Sequence, residues 1–190
     1  MRLQGAVAPL GAGCVDSASS DGRELRVAVP AYVRDLRQRV GHDLLLLPGV
    51  CGLVFDDSGR LLLGRRADTG TWALIGGIVE PGEEVADAVV REVQEETSLL
   101  VAPERITGVD TVADVVYPNH DRVCFVVTTF WCSPLSGRPT VNDDESLEVA
   151  YFPLGALPPL PRHQLRRVED ALRNDQRAAF RRSDPTTSVA

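Results

Sequence analysis

The stretch GGIVEPGEEVADAVVREVQEETSL, Gly76 to Leu99, decides how the chain is read. Its front half is a loop, because Gly76, Gly77, Pro81 and Gly82 interrupt any regular element. Its back half is a helix. Glu83, Glu84 and Asp87 sit in the first turns, where negative charge complements the helix dipole. Ala86, Val89, Val90 and Val93 recur at i, i+3, i+4 and i+7, a stripe that has to face a core. Glu92, Glu95 and Glu96 gather on another side, the last two within about 40–60° of Glu92 at roughly 100° per residue.

Like charges that close repel, by a few tenths of a kcal/mol for each neighbouring pair on a helix. A solvated acidic face would tolerate that. The alternative is a ligand set: an oxygen-only cluster behind a tight Gly-Gly turn suits a hard divalent cation, which removes the repulsion.

The spacing resembles the Nudix box: Gly, five residues, Glu, seven residues, then Arg-Glu-hydrophobic-any-Glu-Glu-any-Gly-hydrophobic. Gly77, Glu83, Arg91, Glu92, Val93, Glu95, Glu96 and Leu99 fit at every position. Two residues depart. Ser98 stands where the family has the Gly that ends the helix in a left-handed conformation, and Ile75 stands where many members have Pro. Neither change removes a carboxylate.

Outward from the box, 190 residues suit one domain with a core of its own. A net charge of −7 argues against a general nucleic-acid binder. Cys14, Cys51, Cys124 and Cys132 have no C-x-x-C spacing and read as reduced thiols of a cytoplasmic protein. His42, His120 and His163 are too scattered for a metal set. No run reaches membrane-span length, and the N-terminus lacks a signal-peptide pattern.

Residues 1–24 lack periodicity and are expected to be disordered, with residues 25–173 as the domain and 174–190 as a flexible tail. Helices are expected over 30–40 and 162–173. Arg34, Arg37 and Arg39 of the first make either a phosphate-facing patch or a solvated face. Leu44 to Phe55 reads as a strand buried on both faces. The turn Asp56–Gly59 then makes Arg60–Arg66 the second arm of a hairpin. Thr107–Tyr117 and Arg122–Cys132 read as strands, Ser133–Thr140 as a loop, and Val149–Phe152 as a short strand. Trp72 either stacks on substrate or packs beneath the loop. Asn142–Glu148 is a second acidic run, a solvated loop when taken alone.

The resemblance implies an α/β Nudix fold, a mixed β-sheet sandwiched between α-helices. It implies a metal-dependent hydrolase that cleaves the diphosphate linkage of a nucleoside diphosphate derivative. Glu92, Glu95, Glu96 and the Gly76 carbonyl would bind Mg²⁺, with Mn²⁺ as a substitute. Glu92 is the first candidate for the base and Glu145 the second, with Glu148 behind it. Arg91 would orient a Glu, and Glu83 would tie loop to helix. Arg65, Arg66, Trp72, Gly77 and Tyr117 are the substrate-contact candidates. The Pro that hints at ADP-ribose is replaced by Asp114 and Val115. Tyr117, at 117 − 99 = 18 positions past Leu99, hints at dinucleoside polyphosphates. Nucleoside triphosphates, nucleotide sugars and dinucleoside polyphosphates all stay open, as does a homodimer. The rival function is a Nudix domain that senses a nucleotide without cutting it; retention of every box carboxylate favours the enzyme. An isoprenoid-diphosphate isomerase would need a Cys and Glu pair that no Cys here supplies.

Overall fold

The computed structural model describes residues 29–117, 119–173 and 176–182, so the segment 1–24 lies outside the described residues. The elements in order are α1 (Ala31–Val40), β1 (Leu45–Val54), β2 (Leu61–Arg66), β3 (Trp72–Ala73), α2 (Val85–Thr97), β4 (Leu100–Val116), β5 (Arg122–Ser136), β6 (Ser146–Phe152), a 3₁₀ turn (Leu154–Ala156), α3 (Arg162–Leu172) and β7 (Ala179–Phe180).

A four-stranded mixed sheet runs β1-β5-β4-β7, with β1 parallel to β5 and β5 antiparallel to β4. Alternation along its strands builds two cores. Val50, Val54, Phe130 and Cys132 face α2 through Val89 and Val93. Cys51, Leu53, Phe125 and Val127 face the other way, onto Val168 and Ala171 of α3. The mixed sheet is therefore sandwiched between α2 and α3. Gly52 sets the spacing to α2: a Cβ there would stand 3.0 Å from Val93 and 3.2 Å from Val89.

The expected hairpin does not form. β1 and β2 meet at one bridge, Phe55 to Leu61, and β2 instead joins β3 and β6 in a separate antiparallel sheet ordered β3-β2-β6. The edge of β1 that a hairpin would have filled takes up the glycine loop. Val50 N–H donates to Gly77 O at 2.9 Å, Gly52 N–H to Ile75 O at 2.9 Å, and Val79 N–H to Pro48 O at 3.2 Å.

Three boundaries differ from the sequence reading. β4 begins at Leu100, and β5 continues to Ser136, into the expected loop, because Leu100 and Val101 pair with Ser136 and Pro134 across bulged register. β6 begins at Ser146, paired with Arg66. The expected tail contains β7, which lies parallel to β4 with Ala179 opposite Gly108; a Cβ on Gly108 would come 3.2 Å from Ala179 O.

α1 is held by Arg37, which donates to the carbonyls of Gly41, Asp43 and Arg122 at 3.0, 2.7 and 2.8 Å and sits 3.4 Å from Asp121. That arginine is a tie between α1 and the β4–β5 turn rather than part of a phosphate patch. Arg34 is likewise turned back onto Val29 O at 2.6 Å. α2 ends at Ser98, in left-handed conformation (φ 59°, ψ 8°), its N–H on Gln94 O at 2.9 Å. No helix among the described residues is long and apolar enough to cross a membrane.

Candidate active site

Where the glycine loop passes over the polar side of α2, two openings meet. The inner one is small and is lined by Gly64, Arg66, Gly76, Glu96, Glu145 and Ser146 among others. The outer one, about 300 Å³, runs past Pro30, Gly77, Arg91, Glu92, Glu95 and Asp143. Glu145 lines both. The structure thus brings the second acidic run, which is distant in sequence, to the box.

The loop has no room for side chains. A Cβ on Gly77 would fall 2.4 Å from the Glu92 carboxyl, and one on Gly76 would fall 2.2 Å from Val50 O. Gly76 N–H donates to Glu96 Oε1 at 3.1 Å. Leu74 N–H, two residues earlier, donates to Gln164 Oε1 at 2.8 Å, which fixes the loop from the α3 side.

Arg91 organises the outer opening. Nε and Nη2 donate to Glu83 Oε1 and Oε2 at 2.8 and 3.0 Å. Nη1 donates to Glu92 Oε1 at 2.9 Å and to Glu95 Oε2 at 3.1 Å, and Nη2 also reaches Ile78 O at 3.1 Å. Glu83 in turn accepts Glu80 N–H at 3.0 Å, closing loop onto helix. These contacts place Glu83 and Arg91 as the loop–helix clasp.

The carboxylates differ sharply. The bond from Arg91 holds Glu83 below its usual range. Glu92 is pushed up to about 7, chiefly by burial and further by Glu95 and Glu83, against the pull of Arg91. Burial lifts Glu96 well above the carboxylate range; the charges of Glu92 and Glu145 add to that, and the Gly76 N–H opposes it. Burial also raises Asp143. The Glu95 side chain is 55% exposed and engaged with Arg91.

Among the described residues no three Asp, Glu, His or Cys side chains stand as a ready ligand set. The chemistry of the donors nonetheless fits a hard divalent cation: all are oxygens, and the carboxylates of Glu92 and Glu96 lie close enough for each charge to bear on the other. Rotation of the Glu92, Glu96 and Glu145 side chains would be needed to close around an ion.

The other candidates separate. Arg66 is buried beside the inner opening, and its Nε donates to Asp68 Oδ1 at 2.8 Å. Arg65 points away and pairs with Glu148 at 3.6 Å on the surface, which also removes Glu148 from the cluster. Trp72 packs edge-on against Phe152, with ring centroids 4.7 Å apart, and joins the α3-side core. Tyr117 is buried at 5% exposure and lines a different cavity, about 420 Å³ of mainly apolar wall beneath α1. Asp143 and Gln164 are the residues the sequence reading missed. Asp143 was visible only as one member of an acidic run. Gln164 shows itself as a polar residue on the buried side of an amphipathic helix.

A family model for the NUDIX domain matches residues 45–171. A MutT-like protein of Streptomyces ambofaciens is 43% identical over 103 residues, covering 54% of this chain and 61% of its own length. An ADP-ribose pyrophosphatase of Methanocaldococcus jannaschii is 32% identical over 144 residues, covering 74% of this chain and 80% of its own. Among solved structures, a MutT NUDIX hydrolase from Burkholderia pseudomallei superposes with a TM-score of 0.54 at 30% identity, covering 66% of this chain and 98% of that one. The box geometry, the family match and these likenesses agree, and the chain belongs to the Nudix family.

Proposed function

We propose that this protein hydrolyses the diphosphate linkage of a nucleoside diphosphate derivative, with Mg²⁺ or Mn²⁺ as cofactor. The observation that carries the reading is the enclosure of Glu92 and Glu96 near Glu145, where the charges of Glu92 and Glu145 both act on Glu96 and the Arg91 guanidinium bonds Glu92. Glu92, Glu96 and the Gly76 carbonyl would hold the cation, with Glu95 at the outer edge. When bound, such an ion draws charge from the diphosphate oxygens and makes a water more acidic.

The rest falls to the chain. Arg91 keeps Glu92 in place, and the bare Gly77 leaves room for its carboxylate. Glu92, or failing it Glu145, would take the proton from the attacking water. Arg66, held by Asp68 at the inner opening, supplies positive charge toward a phosphate. A nucleotide sugar of the ADP-ribose kind is the leading substrate class, since the relative so named shares the domain over most of its length. Nucleoside triphosphates and dinucleoside polyphosphates come after it.

The test is product identification on a panel of ADP-ribose, nucleoside triphosphates, oxidised nucleotides, NADH and dinucleoside polyphosphates with Mg²⁺ and with Mn²⁺. Turnover of one class that EDTA abolishes is the expected result. Nucleotide binding with no turnover on any member would replace the enzyme by the sensor reading.

A further inference from the structure

Across the sheet from the box lies a cavity of about 490 Å³, walled by α3, β4 and β7. None of the box carboxylates lines it. Four guanidiniums do: Arg166 and Arg167 from α3, and Arg181 and Arg182 from just beyond β7. Two carboxylates answer them. Asp110 accepts Arg167 Nε and Nη2 at 3.0 and 3.1 Å, and Asp170 accepts Arg181 Nη2 at 2.6 Å. Arg166 and Arg182 have no ion-pair partner among the described residues, so the lining carries two surplus positive charges in a chain whose net charge is −7.

The inner wall is also incomplete. Thr129 Oγ1, His163 Nε2 and Arg167 Nη1 are buried without a hydrogen-bond partner, and all three residues line this cavity. Thr129 is 1% exposed and Arg167 4%. The Cys51 thiol lies near Arg167 on the core side, where the guanidinium works against the burial that lifts the thiol to about 11. A thiol is a weak acceptor, so this contact satisfies the guanidinium only in part. Burial, with the Arg167 charge behind it, holds His163 down to about 4, so its ring is neutral at ordinary pH. Buried polar atoms are normally satisfied, by protein or by something bound. The volume far exceeds the roughly 30 Å³ of one water.

We infer that this cavity is a binding site for a small phosphate-bearing anion, gripped at its rim by Arg166 and Arg182 and at its floor by the Thr129 hydroxyl and His163. Planar guanidiniums match phosphate oxygens in a way that suits this ligand class. The walls on three sides fit a small molecule rather than a strand of nucleic acid. The site does not depend on the reading of the box as a hydrolase.

The experiment uses the full chain in EDTA at constant ionic strength, with inorganic phosphate and AMP as probes, followed by ring NMR signals of the three histidines. The expected result is a saturable shift of His163 alone, with an apparent Kd of about 1 mM or tighter. Tighter binding of AMP by tenfold or more would identify a phosphate monoester as the ligand; equal binding would identify free phosphate. The double substitution R166Q/R182Q, at residues without described ion-pair partners, should weaken the binding at least tenfold while Tm in the absence of phosphate stays put. A variant at the box, E96Q, should bind as the native chain does. An unmoved His163 signal, equal shifts of all three histidines, or undiminished binding in R166Q/R182Q would overturn the proposal.

Discussion

The two faces of one sheet treat charge in opposite ways. On the α2 face, like charges are packed together: Glu92 and Glu96 are enclosed beside Glu145, with Arg91 as the main internal counterweight. On the α3 face, guanidiniums dominate, and half of them are matched to carboxylates. The first arrangement sets carboxylates against one another, which suits the cation proposed above. The second stabilises the fold through the Arg167–Asp110 fork and leaves charge over at the rim. One surface is built against itself, the other mostly for itself. Charge counts alone would not reveal that, since partners and burial decide it.

The contrast can be broken most forcefully at Glu96. Glu96→Gln keeps an acceptor for the Gly76 N–H and removes a charge that burial opposes. Activity on the substrate found by the panel should fall about 10²–10⁴-fold. At a pH high enough to ionise Glu96, Tm in EDTA should rise, because the repulsion with Glu92 and Glu145 goes with the charge. A drop in Tm would show that the acidic face is not self-opposed.

The α3 face should respond in the other direction. Arg167→Ala strands Asp110 and empties a 4%-exposed site, so unfolding by urea should show a loss of about 3–5 kcal/mol. A loss under about 1 kcal/mol would place the fork among ordinary surface pairs.

A smaller effect concerns pH. The folded protein holds His163 at about 4, below its ordinary 6.5, so the unfolded chain binds the proton first. Its contribution to stability is complete above 6.5 and is lost as pH falls from 6.5 toward 4. After screening by solvent the loss is about 1–2 kcal/mol. His163→Gln should flatten that part of the stability curve.

The smallest change is at the end of α2. Ser98 holds a left-handed conformation that glycine adopts freely, so Ser98→Gly should stabilise by up to about 1 kcal/mol and leave activity intact. Lost activity would give the hydroxyl a role in the acidic face.

The box helix, its stripe and its cap were legible because their causes are local: 3.6-residue periodicity and residue types at fixed spacing. The sheet partners were less so. The turn at Asp56–Gly59 is a sound hairpin signal, yet β2 left β1 for β3 and β6, since the glycine loop supplies the edge of β1 with a competing set of backbone bonds. Glu145 is singled out by the Nudix resemblance, since its acidic run taken alone reads as a solvated loop, while its nearness to Glu96 is a fact of tertiary structure. β7 escaped notice because two residues carry no period, and its placement depends on the bare Gly108 opposite. Arg65 and Arg66, adjacent in sequence, part company because successive strand residues point to opposite faces.

The bonds between the glycine loop and β1 bear on motion as well as shape. The amides of Val50, Gly52 and Val79 are locked across that seam, so they should exchange with solvent as slowly as sheet amides do. Opening the loop would mean peeling an edge off the central sheet, a sub-global event rather than a hinge swing. A ligand arriving at the cleft therefore meets a floor that is already set, and its affinity carries no penalty for ordering that segment. Adaptation to different ligands is left to the parts not sewn to β1: the 143–145 turn and the start of α1.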